Sequence, residues 1–274
     1  LVTVIVLSWV YILLGAGMGM SAFEMTTMTM PGTASGMAMP PQHSTMAGQQ
    51  GAGSMMRMAH AAMMQPAAWT PGYAVLMFGM WWVMMIAMML PSASPMVLLF
   101  ARVNRSQQAK GAPFVPTGVF AAGYLVAWGA FSVVAAGTQW GLERVGLLSG
   151  MMVSTSGVFA GMVLLVAGIY QLTPLKHACL RHCRSPLQFV MQHWRQGTGG
   201  AFRMGVEHGV FCLGCCWFLM ALLFVGGVMN LYWIVALAVF VLLEKTIPAG
   251  HWLGSLTGVG LMLWGLGLLA GALL

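Results

Sequence analysis

Residues 201–225, AFRMGVEHGVFCLGCCWFLMALLFV, are apolar and long enough to read as a membrane-spanning helix. Yet the stretch carries Glu207, His208, Cys212, Cys215 and Cys216. Ionisable groups are costly in hydrocarbon, so the default reading of such a cluster is functional. At about 100° per helical residue, His208, Cys212, Cys215 and Cys216 fall within an arc of about 100°, with Glu207 on its flank. Imidazole and thiolate on one helical face make a soft-metal ligand set. A lone buried cysteine is more simply a small hydrophobe. Three thiols with a His and a Glu on nearby positions point to metal or redox chemistry instead.

The rest of the composition agrees with a membrane setting. Of 274 residues, 59% are apolar and only 5% charged, and there is no Asp; soluble proteins average about 25% charged residues. Several apolar runs of about 20 residues predict an all-α bundle of about seven transmembrane spans, residues 1–274 forming one integral membrane domain. The net charge of +7 is then a matter of topology, and no nucleic-acid partner is expected. Methionine is the anomaly, with 28 residues. Thioether sulfur is a soft ligand suited to Cu(I), although methionine also fills irregular cores.

Residues 1–20 read as a first span, retained in preference to a cleaved signal peptide. Residues 21–70 form the only long polar segment, a Met- and His-rich loop expected to be flexible and extracytoplasmic. It contains Met25, Met28, Met30, Met37, Met39, Met46, Met55, Met56, Met58, Met63 and Met64, with His43 and His60 among them. The second span, about 73–90, places Met77, Met80, Met84 and Met88 on one helical stripe about 80° wide, with Met85 and Met89 on a neighbouring face. Pro91 and Pro95 are expected to kink or end that helix. Further spans are read at about 114–138, 150–172, 201–225, 229–247 and 252–274, with Glu143 and Arg144 paired in the loop after the third.

Arginine and lysine concentrate in the loops at 101–113 and 173–200, which the positive-inside rule assigns to the cytoplasm of a bacterial inner membrane. The N-terminus is then inside and the Met-rich loop outside. The inner loop adds His177, Cys179, His182 and Cys183; Cys179 and Cys183 are four residues apart, so a helical turn would align their sulfurs. Outer Met, membrane Met and inner Cys suggest a line of rising Cu(I) affinity. Glu244, beside Lys245, is either half of an interfacial ion pair or a hard ligand facing the bundle.

Several motifs carry a resemblance. LSWVYI, MMIAMMLPSASP, GYLVAW, YQLTPLKHACLRHCRSP, HGVFCLGCCWFLM and GVMNLYW followed by LLEKTIP resemble a bacterial family of predicted metal-binding integral membrane proteins, a domain of unknown function. The likeness covers nearly the whole chain apart from the outer loop. It implies metal binding at His208, Cys212, Cys215, Cys216, Cys179, Cys183 and Glu244 together with the MMxAMM methionines, and it implies no established activity.

The expected function is therefore soft-metal binding, with copper as the metal, in acquisition, relay or homeostasis. The candidate ligands are His208, Cys212, Cys215, Cys216, Glu207, Cys179, Cys183, His182, Met77, Met80, Met84, Met88 and Glu244. The expected partners are a metal ion and the lipid bilayer, with a copper chaperone or further membrane subunits as additional candidates. A thiol redox enzyme using Cys215–Cys216 or Cys179/Cys183 is one alternative. An accessory subunit packing through Gly258, Gly260, Gly265, Gly267 and Gly271 is another. Four glutamates without an aspartate provide no convincing paired-carboxylate site, and no phosphate-binding Gly-rich motif is present.

Overall fold

The computed structural model describes residues 1–17, 21–29, 68–111, 114–149, 152–248 and 250–273. It is 83% helical, with no strand among the described residues, as the apolar runs predict. The helices are α1 (Val2–Leu13), α2 (Ala22–Thr29), α3 (Pro71–Gln108), α4 (Thr117–Arg144), α5 (Gly157–Gln171), α6 (Pro174–Arg184), α7 (Pro186–His193), α8 (Gly197–Ala221), α9 (Leu223–Gly226), α10 (Leu231–Thr246) and α11 (Gly250–Leu273). Most of the outer loop's methionines, from Met30 to Met64, lie outside the described residues, as do His43 and His60. The loop's first residues form α2. There Thr26 accepts a hydrogen bond at 2.9 Å from the backbone N–H of Leu231, tying α2 to the start of α10.

Each of the seven expected apolar segments contains a helix, but the lengths differ from expectation. Among the described residues, four helical stretches are long and apolar enough to cross a membrane: Pro71–Gln108, Thr117–Arg144, Gly197–Gly226 and Trp252–Ala272. A fifth arises if α5 and α6, bent by 64° at their junction, count as one. At 12 and 16 residues, α1 and α10 fall short of the about 20 residues a span requires. Local signals explain both limits. Gly15 and Gly17 adopt left-handed φ values of 85° and 82° just after α1. The Asn230 side chain caps α10 by accepting from the N–H groups of Tyr232 and Trp233.

The helix α3 does not end at its prolines. It begins at Thr70, whose side chain accepts from Tyr73 N–H, with Pro71 in the first turn. It then runs 38 residues, about 57 Å. A proline at position 95 leaves the carbonyl of Pro91 without its intrahelical donor. The Ser94 hydroxyl donates to that carbonyl at 2.8 Å and lies 3.1 Å from the Leu90 carbonyl, so the break is bridged by a side chain. Arg102 and Arg105, expected in a loop, lie on its last turns.

The inner loop is also helical. Pro174 cannot continue α5, and Thr173 caps a new helix by accepting from Lys176 N–H at 3.3 Å. Residues 174–184 thus become α6, packed on α8. Glu143 and Arg144 belong to α4, where adjacent residues point in different directions. The Glu143 carboxylate is buried, accepting from Trp69 Nε1 at 2.7 Å and Gln139 Nε2 at 2.8 Å. Arg144 instead lies over the Trp140 ring, so the expected ion pair does not form.

Two helix pairs pack with their backbones nearly touching. At the α4–α8 contact, a methyl group on Gly205 would lie 2.0 Å from the Phe120 carbonyl oxygen, and one on Gly123 2.2 Å from that of Phe202. Gly258 and Gly265 of α11 meet Gly168 and Gly161 of α5 in the same way. Part of the small-residue face expected to receive another subunit is therefore used within the chain. A methyl group added at Gly260, Gly267 or Gly271 would meet nothing within 4 Å among the described residues.

Gly205→Ala should lower the thermal unfolding midpoint in detergent by about 5 °C or more, since overpacking costs about 1–3 kcal/mol. Gly260→Ala should leave the midpoint unchanged or raise it slightly. Equal effects of the two would contradict this assignment of the α4–α8 contact.

Candidate metal centre

The close approach of α4 and α8 sets Tyr124 against Cys212. The Tyr124 hydroxyl lies 3.1 Å from Cys212 Sγ and donates to the carbonyl of Met89 on α3, 3.2 Å away. From α10, Lys245 Nζ donates to Cys212 Sγ at 2.9 Å and to the Ser92 hydroxyl at 3.2 Å. The Cys212 sulfur therefore sits where α3, α4, α8 and α10 converge. Cys215 and Cys216 are buried with it on α8, and Cys183 approaches Cys215 from α6. All five cysteines are free thiols.

The sulfurs meet in pairs. Cys183 on α6 and Cys215 on α8 have their Sγ atoms 3.9 Å apart, and Cys216 Sγ lies 3.8 Å from the Met89 thioether. Cys215 and Cys216 each donate to the Cys212 carbonyl, at 3.1 and 2.9 Å. Cys179 packs against Gly214, where an added methyl would come within 2.6 Å of its sulfur. Two metal–sulfur bonds of about 2.3 Å each can span a gap of 3.9 Å, so each pair is within reach of a two-coordinate soft ion. Among the described residues, no group of three or more His, Cys, Asp or Glu side chains is arranged to hold a metal ion. The geometry is one of sulfur pairs and lacks a closed tetrahedral cage.

The predicted methionine stripe is buried throughout. Met77, Met80, Met84 and Met88 are each at most 1% exposed and belong to the same apolar core as Cys212, Cys215 and Cys216. At the far end Gln139 Nε2 lies 3.5 Å from Met77 Sδ. Met89, from the neighbouring face, brings its thioether to 3.8 Å from the Cys216 thiol.

Three predicted ligands, Glu207, His182 and Glu244, are engaged with other groups, while His208 is buried on α8 with Cys212. Glu207 is held by Arg203 at 3.0 Å and Arg195 at 3.5 Å. His182 stacks on Phe211 with centroids 4.1 Å apart, and its Nδ1 lies 2.9 Å from the Ala178 carbonyl oxygen. His208 is buried one turn before Cys212, among the rings of Phe120, Tyr124 and Phe189; its Nδ1 has no hydrogen-bond partner among the described residues. Glu244 pairs with Lys176 and not with Lys245, and both members of that pair are fully buried. Lys176 also donates to Gln171.

The resemblance already placed Met89 in the site through the MMxAMM methionines; sequence reasoning missed Tyr124, Ser92 and Lys245 as neighbours of the thiols. Each lies inside a motif quoted above, MMIAMMLPSASP, GYLVAW or LLEKTIP, but periodicity within one helix cannot say which faces meet between helices.

A family model described as PpoB2, copper chaperone, matches residues 78–268. That span includes all five cysteines, Met89 and Lys245. It supports the metal-related kinship suggested by the motifs and points to copper as the metal concerned. No curated protein and no solved structure matches the chain.

Burial separates the thiols by reactivity. Cys179 and Cys183 are half-buried, whereas Cys212, Cys215 and Cys216 are each about 1% exposed. A hydrophilic maleimide should modify Cys179 and Cys183 first and leave those three unmodified until the protein is denatured, as read by peptide mass spectrometry. Labelling of Cys212 as fast as Cys179 in the folded protein would contradict this packing.

Proposed function

Because the chain belongs to the PpoB2 family of copper chaperones, we propose that it is an integral membrane protein that takes Cu(I) as cargo and holds it on the sulfurs around Cys212. The observation that carries this reading is the convergence of four helices on the Cys212 sulfur, with the Cys183–Cys215 and Cys216–Met89 sulfur pairs in the same core. Thiolate and thioether donors suit Cu(I), whereas oxygen donors suit harder ions. Sulfurs arranged in pairs also favour an ion content with two or three ligands and one that can be passed on.

The orientation follows the charge bias. With the basic residues of α3's last turns and of α6 to α8 facing a bacterial cytoplasm, the Met- and His-rich segment 21–70 lies outside and captures copper. Met77, Met80, Met84 and Met88 offer thioethers through the core, and Met89 hands the ion to Cys216. The cluster is then the inward end of a path of rising affinity. In this scheme the seven apolar segments cross or enter the bilayer, with α1 and α10 as short members.

One observation favours a second reading. Cys183 and Cys215, on different helices, have their sulfurs 3.9 Å apart. A disulfide needs its sulfurs at about 2.05 Å, so a modest approach of α6 to α8 would allow Cys183 and Cys215 to cycle between dithiol and disulfide. Oxidant-dependent protection of these two cysteines, without bound copper, would favour redox chemistry.

Copper content of the detergent-purified protein, measured by elemental mass spectrometry after Cu(I) loading under reducing conditions, tests the proposal. The expected result is about one copper or more per chain, falling by at least half in Cys212→Ser and in Cys215→Ser. Unchanged copper in both variants would remove the cluster as the site.

A further inference from the structure

The buried charges near the thiols do not cancel. Lys176, Glu244 and Lys245 are 0%, 1% and 8% exposed. Lys176 and Glu244 form a closed pair. Lys245 has no carboxylate partner among the described residues, whose ion pairs are Lys176–Glu244, Arg195–Glu207 and Arg203–Glu207. Its ammonium contacts the Ser92 hydroxyl and the Cys212 sulfur. A buried ammonium without a counter-anion is strongly unfavourable. The atoms beside Lys245 that can take up a compensating negative charge are the sulfurs, Cys212 first among them.

We propose that Lys245 is the counter-cation of a two-thiolate complex of a monovalent soft ion, and that this charge match selects Cu(I) or Ag(I) against divalent ions. The inference rests on the cluster being the copper site. The atoms and charges balance without any redox step. Two thiols, Cys212 and one neighbour, lose two protons, and two metal–sulfur bonds form. A monovalent ion with two thiolates has net charge −1, and the adjacent ammonium brings the assembly to zero.

A divalent ion on the same two thiolates is neutral, which leaves Lys245 uncompensated in the core. A third thiolate would restore the balance for a divalent ion. However, no three ligating His, Cys, Asp or Glu side chains among the described residues are arranged to bind together, and a structural Zn(II) site uses four ligands. Coordination number and charge thus act in the same direction. Methionine does not alter this count, since the Met89 thioether adds a soft donor without charge.

The test is equilibrium dialysis of the full chain in detergent against Ag(I) or Cd(II) under reducing conditions, with metal per chain read by elemental mass spectrometry. Occupancy of the cluster is the amount bound above that of Cys212→Ser, which removes binding elsewhere from the comparison. The wild type should prefer Ag(I). Lys245→Met, of similar length but uncharged, should bind Ag(I) at the cluster at least tenfold more weakly and Cd(II) no more weakly, whereas Lys245→Arg should keep the wild-type preference.

An unchanged Ag(I)-to-Cd(II) preference in Lys245→Met would overturn the inference while leaving the copper site standing. So would a wild type that binds Cd(II) at the cluster as tightly as Ag(I), a result that requires no variant to fold. If the wild type binds neither ion above the Cys212→Ser level, the site assignment itself falls.

Discussion

The arrangement depends on two helices meeting backbone to backbone. Gly123 of α4 and Gly205 of α8 each face a carbonyl oxygen so closely that no Cβ could be accommodated, and Gly209 continues the contact one turn later against Ala127. Small residues at this spacing let helices approach without relying on a hydrophobic driving force, which is weak between apolar segments in lipid. The register so fixed places the Tyr124 hydroxyl against Cys212 and within reach of the Met89 carbonyl. The Tyr124 hydrogen bonds thereby connect α3, α4 and α8 at the level of the thiols. Displacement of α8 by even one turn would move Cys212 away from both Tyr124 and Lys245.

Around this contact the buried carboxylates are already engaged. Glu143 is satisfied by Trp69 and Gln139, and Gln139 accepts from Trp81 Nε1 at 2.8 Å. The Lys176–Glu244 pair is braced by Gln171, and Arg184 reaches across to the carbonyls of Ile247 and Pro248 at the end of α10. Lys245 stands apart because its shortest contact is a thiol. A core built of thioethers and thiols, with one ammonium that no carboxylate pairs among the described residues, suits a soft cation held on two of those thiols as thiolates. The same core offers little to a hard cation, whose oxygen donors would have to come from carboxylates that other groups hold.

Much of this is legible in the sequence. The apolar runs give the helices, and the period of α8 gives the shared face of His208, Cys212, Cys215 and Cys216, all of which are buried. The rotation of one helix against another is not legible there. Met89 leaves the Met77–Met88 stripe, yet its thioether lies against the Cys216 thiol. Glu143–Arg144 reads as a local ion pair, and Glu244 beside Lys245 as either such a pair or a carboxylate facing the bundle; in both the adjacent residues diverge. Neighbouring helical residues point about 100° apart and do not face each other. Glu244 accordingly turns to α6 and Lys245 to α8. The basic segment 173–184 reads as a loop because its charges resemble a solvated surface; the Thr173–Pro174 cap makes it a helix instead, and its Lys176 is fully buried.

The central claim is that sulfur alone holds a monovalent copper ion beside Cys212. X-ray absorption spectroscopy at the copper edge of the Cu(I)-loaded protein tests it most directly. The account predicts a Cu(I) edge and a first shell of two or three sulfur neighbours, with the sulfur count reduced in Cys212→Ser. A first shell dominated by nitrogen or oxygen, or one unaltered by that substitution, would contradict it.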